Sequence, residues 1–389
     1  MKLASLKVLD LSAFLPGPHM TMTMADHGAD VIMVEPANGV GEPTRALGYK
    51  TEDGVSVWFR NIARGKRSLK INLKDIEARE VFYALARDAD VIVEAFRPGV
   101  VKRLGVDYET IAAMNPGIVY CSIAAFGQDG RYAQKPGHSI TMEAMSGLVD
   151  LNRGLDDDKP CAPCLPAADT IASLSALAAI MMALFRRQAT GRGDYIDISM
   201  YDGLLSWTPN VTGPVFAQNA HPVAKQMRPF GGSAMYRIYE TQDGRFLVLG
   251  GSEVHFAKNL LEALGRPDLL EFAIKEPGPL QDPLKRFFEE TFRAHPLSHW
   301  ETFLAPIDVC WSTVRSLKDA FDDPYAEERG MLLRDEHGNS HIGAPIRFRD
   351  EPAKPNLETP AFGAHSQELA RKAGLDEAAI AALIARGAL

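Results

Sequence analysis

The chain has 389 residues, 46% of them hydrophobic and 24% charged, which is enough for two domains with sizeable cores. A formal net charge of −8 argues against a nucleic-acid partner, which selects a basic face; anionic small ligands stay compatible, because local Arg and Lys can act against the global sign. No run reaches ~18 uninterrupted apolar residues, and residues 1–7 show no apolar leader with a cleavage site. The expectation is a cytoplasmic protein without membrane association.

In chain order, Leu6–Leu11 reads as a strand, followed by Gly17-Pro18 and a helical run from His19 to His27 that Gly28 stops. Val31–Glu35 is a second apolar strand, so a parallel βαβ start is expected. Ile76–Ala86 has helical spacing, Val91–Glu94 reads as a third strand, Tyr108–Met114 as a short helix and Ile118–Ile123 as a fourth strand. A long apolar helix runs from Ile171 to Arg187, is ended by Gly191-Arg192-Gly193, and leads to a strand over Tyr195–Met200. This alternation predicts a large, Rossmann-like doubly wound α/β domain over residues 1–206.

Residues 207–232 are rich in Pro, Gly, Asn and Gln and read as a linker. Asp243-Gly244 between Ala234–Tyr239 and Arg245–Leu249 is a hairpin signal. Helical segments follow at Phe256–Leu264, Leu284–Phe292 and Trp300–Leu304, so residues 233–320 are expected to form a smaller α+β domain. Residues 321–389 are expected to lead back to the large domain and to turn helical from about Glu368.

The turn after the first strand, Ser12-Ala13-Phe14-Leu15-Pro16-Gly17-Pro18, lacks the glycine fingerprint that cradles a dinucleotide. No tightly bound cofactor is expected. Cys161-Ala162-Pro163-Cys164 has no second ligand pair for zinc and does not open a helix as a redox pair would, so no metal is expected either. Asp169 lies among small residues just before the long apolar helix. It could be a helix cap contributing about 0.5–2 kcal/mol, or a carboxylate facing a cleft.

An ordered set of patches resembles the class III CoA-transferase (CaiB/BaiF) family. They are Ala25-Asp26-His27-Gly28-Ala29-Asp30-Val31-Ile32, Gly41-Glu42-Pro43-Thr44-Arg45, Gly65-Lys66-Arg67-Ser68-Leu69, Ala89-Asp90-Val91-Ile92-Val93-Glu94-Ala95-Phe96-Arg97-Pro98-Gly99, Arg103-Leu104-Gly105, Asp169 and Thr190-Gly191-Arg192-Gly193. The resemblance implies an interlocked homodimer, with coenzyme A entering as part of the substrate. It assigns Ile71, Lys74, Phe96, Arg103 and Leu104 to the CoA pocket and places Phe14, Leu15 and Pro16 at the thioester end. Lys74, Arg97 and Arg103 follow predicted strands, where cationic side chains can meet phosphates. The chain departs from formyl-CoA transferase at Leu15, Pro36 and Ala95, which speaks against formyl or oxalyl specificity.

The resemblance implies two chemistries. In a transferase, Asp169 attacks an acyl-CoA thioester, and CoA passes to a carboxylic acid through an aspartyl anhydride and an aspartyl-CoA. Gly250-Gly251-Ser252 is then a candidate oxyanion loop. In a 2-methylacyl-CoA racemase, Asp169 and His138 exchange the α-proton from opposite faces, and Glu253 matches a racemase glutamate. Ser139 stands where an aspartate follows the racemase histidine. CoA transfer is the leading reading and α-proton exchange the alternative.

Overall fold

Strand formation in the first half follows from short Val- and Ile-rich runs, each bounded by a helix. A computed structural model describes residues 1–154 and 157–389. It places six parallel strands in one sheet: β1 (Lys7–Asp10), β2 (Asp30–Pro36), β3 (Arg67–Ile71), β4 (Val91–Glu94), β5 (Val119–Ala124) and β6 (Asp194–Ser199). Their order is β3-β2-β1-β4-β5-β6. The central strands β4 and β5 are buried along their whole length, whereas β6, at the edge, is largely exposed. That is why β4 and β5 read as continuous apolar runs. The strand order reverses between β1 and β4, so the crevice for a ligand lies at the carboxyl ends of those two strands.

Helices cover the sheet with one apolar stripe each. The Ile76–Arg87 helix buries Ala78, Val81, Phe82, Leu85 and Ala86, and Asp75 caps it by accepting the Ala78 N–H at 3.0 Å. Its stripe joins Leu9, Ile32, Leu69, Ile92 and Tyr120 in one core, which also takes Leu369, Ile380, Leu383 and Leu389 from the C-terminal helices Ser366–Lys372 and Glu377–Ala385.

The chain divides into two compact units: residues 1–142, 166–205 and 323–389 in one, 143–165 and 206–322 in the other. Residues 207–232, expected as a linker, therefore belong to the second unit, as do residues 143–165. The former carry a Gly213–Gln218 helix and two short 3₁₀ turns rather than structureless chain. The second unit is built on an antiparallel sheet of β7 (Tyr236–Glu240), β8 (Phe246–Gly250) and β9 (Trp311–Thr313). Helices Val254–Ala263, Asp282–Arg293 and Leu297–Leu304 pack on it around Tyr239, Phe288, Phe292 and Trp300. A small hairpin, β10 (Leu332–Arg334) with β11 (Ser340–Ile342), lies in the first unit.

Candidate active site

Two cavities of the first unit open at the carboxyl edge of the sheet. One, of about 580 Å³, is lined from the ends of β1, β2 and β3 by Leu11–Ala13, Pro36–Asn38 and Ile71–Lys74, with Glu42, Phe96 and Leu104. The other, of about 550 Å³, is lined by Ala13–Pro16 after β1, Ala95–Pro98 after β4, Ile123–Ala125 at the end of β5 and Met200 after β6. His138 and Asp169 line it too. Ala13 and Phe96 line both. The first cavity is mostly apolar, with Glu35, Glu42 and Lys74 among its lining residues, and the second carries Arg97, Lys135, His138 and Asp169.

The 24-residue helix Ala167–Thr190 delivers Asp169. The helix begins earlier than expected: Pro166 is its cap position, so Asp169 sits in the first turn rather than at the cap. There its charge faces the positive end of the helix dipole. The Ala168 N–H is accepted by Ser139 Oγ at 3.1 Å. One turn further on, Ser173 Oγ lies 3.0 Å from His19 Nδ1. His19 belongs to the Pro16–Asp26 helix, and burial holds its pKa below the ordinary value, which keeps it neutral. Asp169 and Ser173 are four residues apart and share a face, so this contact pins the helix directly beneath the carboxylate.

The turn after β1 is the most constrained backbone of the site. Gly17 cannot carry a Cβ, which would stand 2.0 Å from Ser12 Oγ. Phe14 has φ of +67°, a left-handed conformation that a bulky residue rarely adopts. Its N–H donates to Glu42 Oε1 at 2.9 Å, and its ring meets His138 edge-on at 6.3 Å between centroids. Beneath the turn, Asp10 is buried with Lys66, whose ammonium donates to Asp10 Oδ2 at 3.1 Å, Pro18 O at 2.9 Å and Thr21 Oγ1 at 2.7 Å. Glu94, at the end of β4, accepts the Phe96 N–H at 2.8 Å. Burial pushes its carboxyl up to about 7, with Asp197 adding to the effect.

The residues singled out in the sequence distribute as follows. Phe14, Leu15, Pro16, Arg97, His138 and Asp169 line the second cavity, with Phe96 shared. Ile71, Lys74 and Leu104 line the first. Arg103 is exposed on the short Val100–Leu104 helix and is not among the lining residues of either cavity. Glu253 belongs to the second unit, where it is exposed and precedes the Val254–Ala263 helix without capping it through its side chain. The cavity that joins Asp169 and His138 is lined by first-unit residues. Gly250-Gly251-Ser252 is also in the second unit; Gly251 is required for packing, since a Cβ there would meet Phe256 at 2.7 Å.

Sequence reasoning missed Lys135, Leu47 and Trp58 in the second cavity and Glu42 in the first. Lys135 stands three residues before His138, in the loop that precedes the Ser139–Met145 helix. Leu47 and Trp58 fall in the long segment between Gly41 and Arg67, which has no sheet periodicity to locate them.

Comparison with known proteins agrees with this architecture. The model of CoA-transferase family III matches residues 3–366. An acetyl-CoA:oxalate CoA-transferase of Acetobacter aceti is 32% identical over 91% of this chain and 92% of its own. An alpha-methylacyl-CoA racemase of Mus musculus is 29% identical over 97% of this chain and 94% of its own. The crystal structure of a CaiB/BaiF family protein from Brucella suis superposes with a TM-score of 0.82 at 30% identity, covering 95% of this chain and 99% of that one. The chain belongs to CoA-transferase family III.

Proposed function

We propose that this family III chain moves CoA from an acyl-CoA thioester to a free carboxylic acid, with Asp169 as the nucleophile. The observation that carries the reading is the placement of Asp169. It sits in the first turn of a pinned helix and lines one cavity with Phe14, Arg97, Lys135 and His138. The apolar 580 Å³ cavity, with Lys74 on its wall, suits the nucleotide end of CoA, and the shared Phe96 lies where the pantetheine arm would pass to the second cavity.

The Asp169 carboxylate attacks the thioester carbonyl and expels CoA thiolate, leaving a mixed anhydride. The thiolate then attacks the aspartyl carbonyl, releasing the first acid and forming aspartyl-CoA. The acceptor carboxylate displaces CoA again, giving a second anhydride. A final thiolate attack on the acceptor's carbonyl yields the new acyl-CoA and restores Asp169. Arg97 and Lys135 bring positive charge to a cavity through which two carboxylates must pass in turn.

A specific observation keeps a second reading in play. His138 lines the same cavity as Asp169, the pairing that α-proton exchange on a 2-methylacyl-CoA would use. Incubation with acetyl-CoA or succinyl-CoA and a series of free acids separates the two: a new thioester marks transfer. Deuterium entering the α-position of a 2-methylacyl-CoA, with no new thioester, marks the racemase.

We also infer a homodimer, threaded as the family resemblance implies. The Ala167–Thr190 helix is long and apolar enough by composition to cross a membrane, yet one face lies in the core through Ile171, Ala172, Ala176 and Ile180. Its outer face leaves Met182 71% and Phe185 77% exposed in the single chain, apolar surface that a second copy would cover.

A further inference from the structure

Glu42 follows Gly41 in the segment after β2 and is 3% exposed. It caps the 3₁₀ turn Pro43–Arg45 with one oxygen: Oε2 accepts the Thr44 N–H at 2.7 Å and the Thr44 hydroxyl. Asp, Asn or Ser would do that work with a shorter arm and are the preferred caps. The extra length of Glu is used by the other oxygen, Oε1, which accepts the Phe14 N–H at 2.9 Å across 28 residues of sequence. The Glu42 backbone is itself fixed, since its N–H donates to Glu35 Oε2 at 2.8 Å. Glu35 is clamped by Arg45, with Nε and Nη2 each at 2.7 Å.

Phe14 needs such a partner. A left-handed phenylalanine persists only where its surroundings over-determine it, and such strain collects at functional sites. Here the strained residue lines the cavity that holds Asp169 and sets its ring against His138. Burial pushes the Glu42 carboxyl above its ordinary range, and the bonds from Thr44 and Phe14 oppose that rise. The chain thus keeps a buried acid, at a cost in desolvation, where it reaches the Phe14 amide.

We propose that Glu42 is a positioning residue: through the Phe14 amide it holds the left-handed turn that sets the Phe14 ring beside His138 at the reacting end of the cavity. The inference rests on the acyl-CoA reading of that cavity, and it is tested with two independent readouts on the full chain. The first is hydrogen–deuterium exchange of the Phe14 amide. The second is turnover of acetyl-CoA or succinyl-CoA with free acids, and of a 2-methylacyl-CoA, beside calorimetric affinity for free CoA.

Glu42→Ala is expected to speed exchange at Phe14 at least ~10-fold and to lower kcat by ~10-fold or more, as for loss of a bond to a charged acceptor. Free-CoA affinity is read alongside because Glu42 also lines the 580 Å³ cavity, and the loss in kcat should exceed any loss in that affinity. Glu42→Gln keeps the volume but only one accepting oxygen, for which Phe14 and Thr44 compete, and should fall between. Thr44→Ala should leave the Phe14 amide as protected as in the wild type. Unchanged exchange in both Glu42 variants overturns the proposal, and so does faster exchange with unchanged kcat. If Glu42→Ala does not fold, Glu42→Gln decides by the same two readouts. A wild-type protein that neither forms a new thioester nor exchanges an α-proton sinks the acyl-CoA reading instead; the exchange readout alone then upholds or overturns the Glu42 clamp.

Discussion

Ser139 Oγ accepts the Ala168 N–H at 3.1 Å, so the residue after His138 is tied to the residue before Asp169. The bond satisfies one of the free donors at the start of the long helix, which Pro166 leaves without a side-chain cap. It also links the two groups that the alternative chemistries would use. Serine in place of aspartate therefore has a structural job here that keeps a neutral acceptor beside Asp169.

Ser139→Ala should lower stability by about 0.5–2 kcal/mol in urea unfolding, the usual cost of removing a cap. Turnover should fall with it, while Ser139→Thr, which keeps the hydroxyl, should recover most of both. Wild-type stability and turnover in the alanine variant would show that the bond positions nothing.

The Lys66–Asp10 pair lies wholly buried under the turn after β1. Burial lowers the Lys66 pKa, and Asp10 opposes the shift. Asp10 also accepts the Ser12 N–H at 3.0 Å, so an unpaired Asp10 would disturb the turn itself. Lys66→Met should cost about 3–5 kcal/mol because it strands a buried charge. The double variant Lys66→Met with Asp10→Asn should recover a large part of that loss. Chemical unfolding of the two single variants and the double closes the cycle, and strict additivity would contradict the coupling.

Glu94 makes stability depend on pH with a definite sign. Its carboxyl is raised from the ordinary 4.5 to about 7, by burial first and by Asp197 second. The folded chain therefore holds this proton in a range where the unfolded chain has released it. The contribution is full below pH 4.5 and is lost as pH rises to about 7. Its size is at most about 3 kcal/mol. Glu94→Gln keeps an acceptor for the Phe96 N–H and removes the titration. Relative to the wild type, its urea midpoint should gain as pH rises from 5 to 8; a constant difference across that range would be the contrary result.

CoA affinity should follow the walls of the two cavities. Lys74→Ala should weaken binding by about 1–3 kcal/mol through loss of a charge-assisted contact to a phosphate, whereas Arg97→Ala, on the second cavity, should act mainly on turnover with the free acid. Arg103→Ala tests the family-based assignment of a residue that lies outside both walls, and calorimetry at moderate salt reads all three. Unchanged affinity in Lys74→Ala would move the nucleotide phosphates away from the wall of the 580 Å³ cavity.

The strands with the strongest apolar runs were legible in the sequence, because β4 and β5 are buried on both faces. β3 was not read as a strand: Arg67, Ser68 and Lys70 interrupt its apolar residues, with Asp30 accepting from the Arg67 guanidinium, Glu35 from the Ser68 hydroxyl and Ser366 Oγ from the Lys70 backbone N–H. β10 and β11 escaped for a similar reason, being three residues each around an Asp335–Asn339 turn. At the site, Asp169 stood out as a lone carboxylate before an apolar helix. The Phe14–Glu42 clamp could not, since nothing in a sequence shows that one phenylalanine has a positive φ or that a glutamate 28 residues away reaches its amide. Glu253, read from the sequence as part of the smaller domain, lies in the second unit.

The most direct measurement is chemical trapping at Asp169. Wild-type protein is incubated with acetyl-CoA or succinyl-CoA, treated with hydroxylamine or borohydride, digested and mapped by mass spectrometry. The account predicts an adduct on Asp169 that persists in His138→Ala and is absent in Asp169→Asn, the latter still binding CoA. No adduct in the wild type, together with α-proton exchange that vanishes in His138→Ala, would contradict it and leave the racemase chemistry in its place.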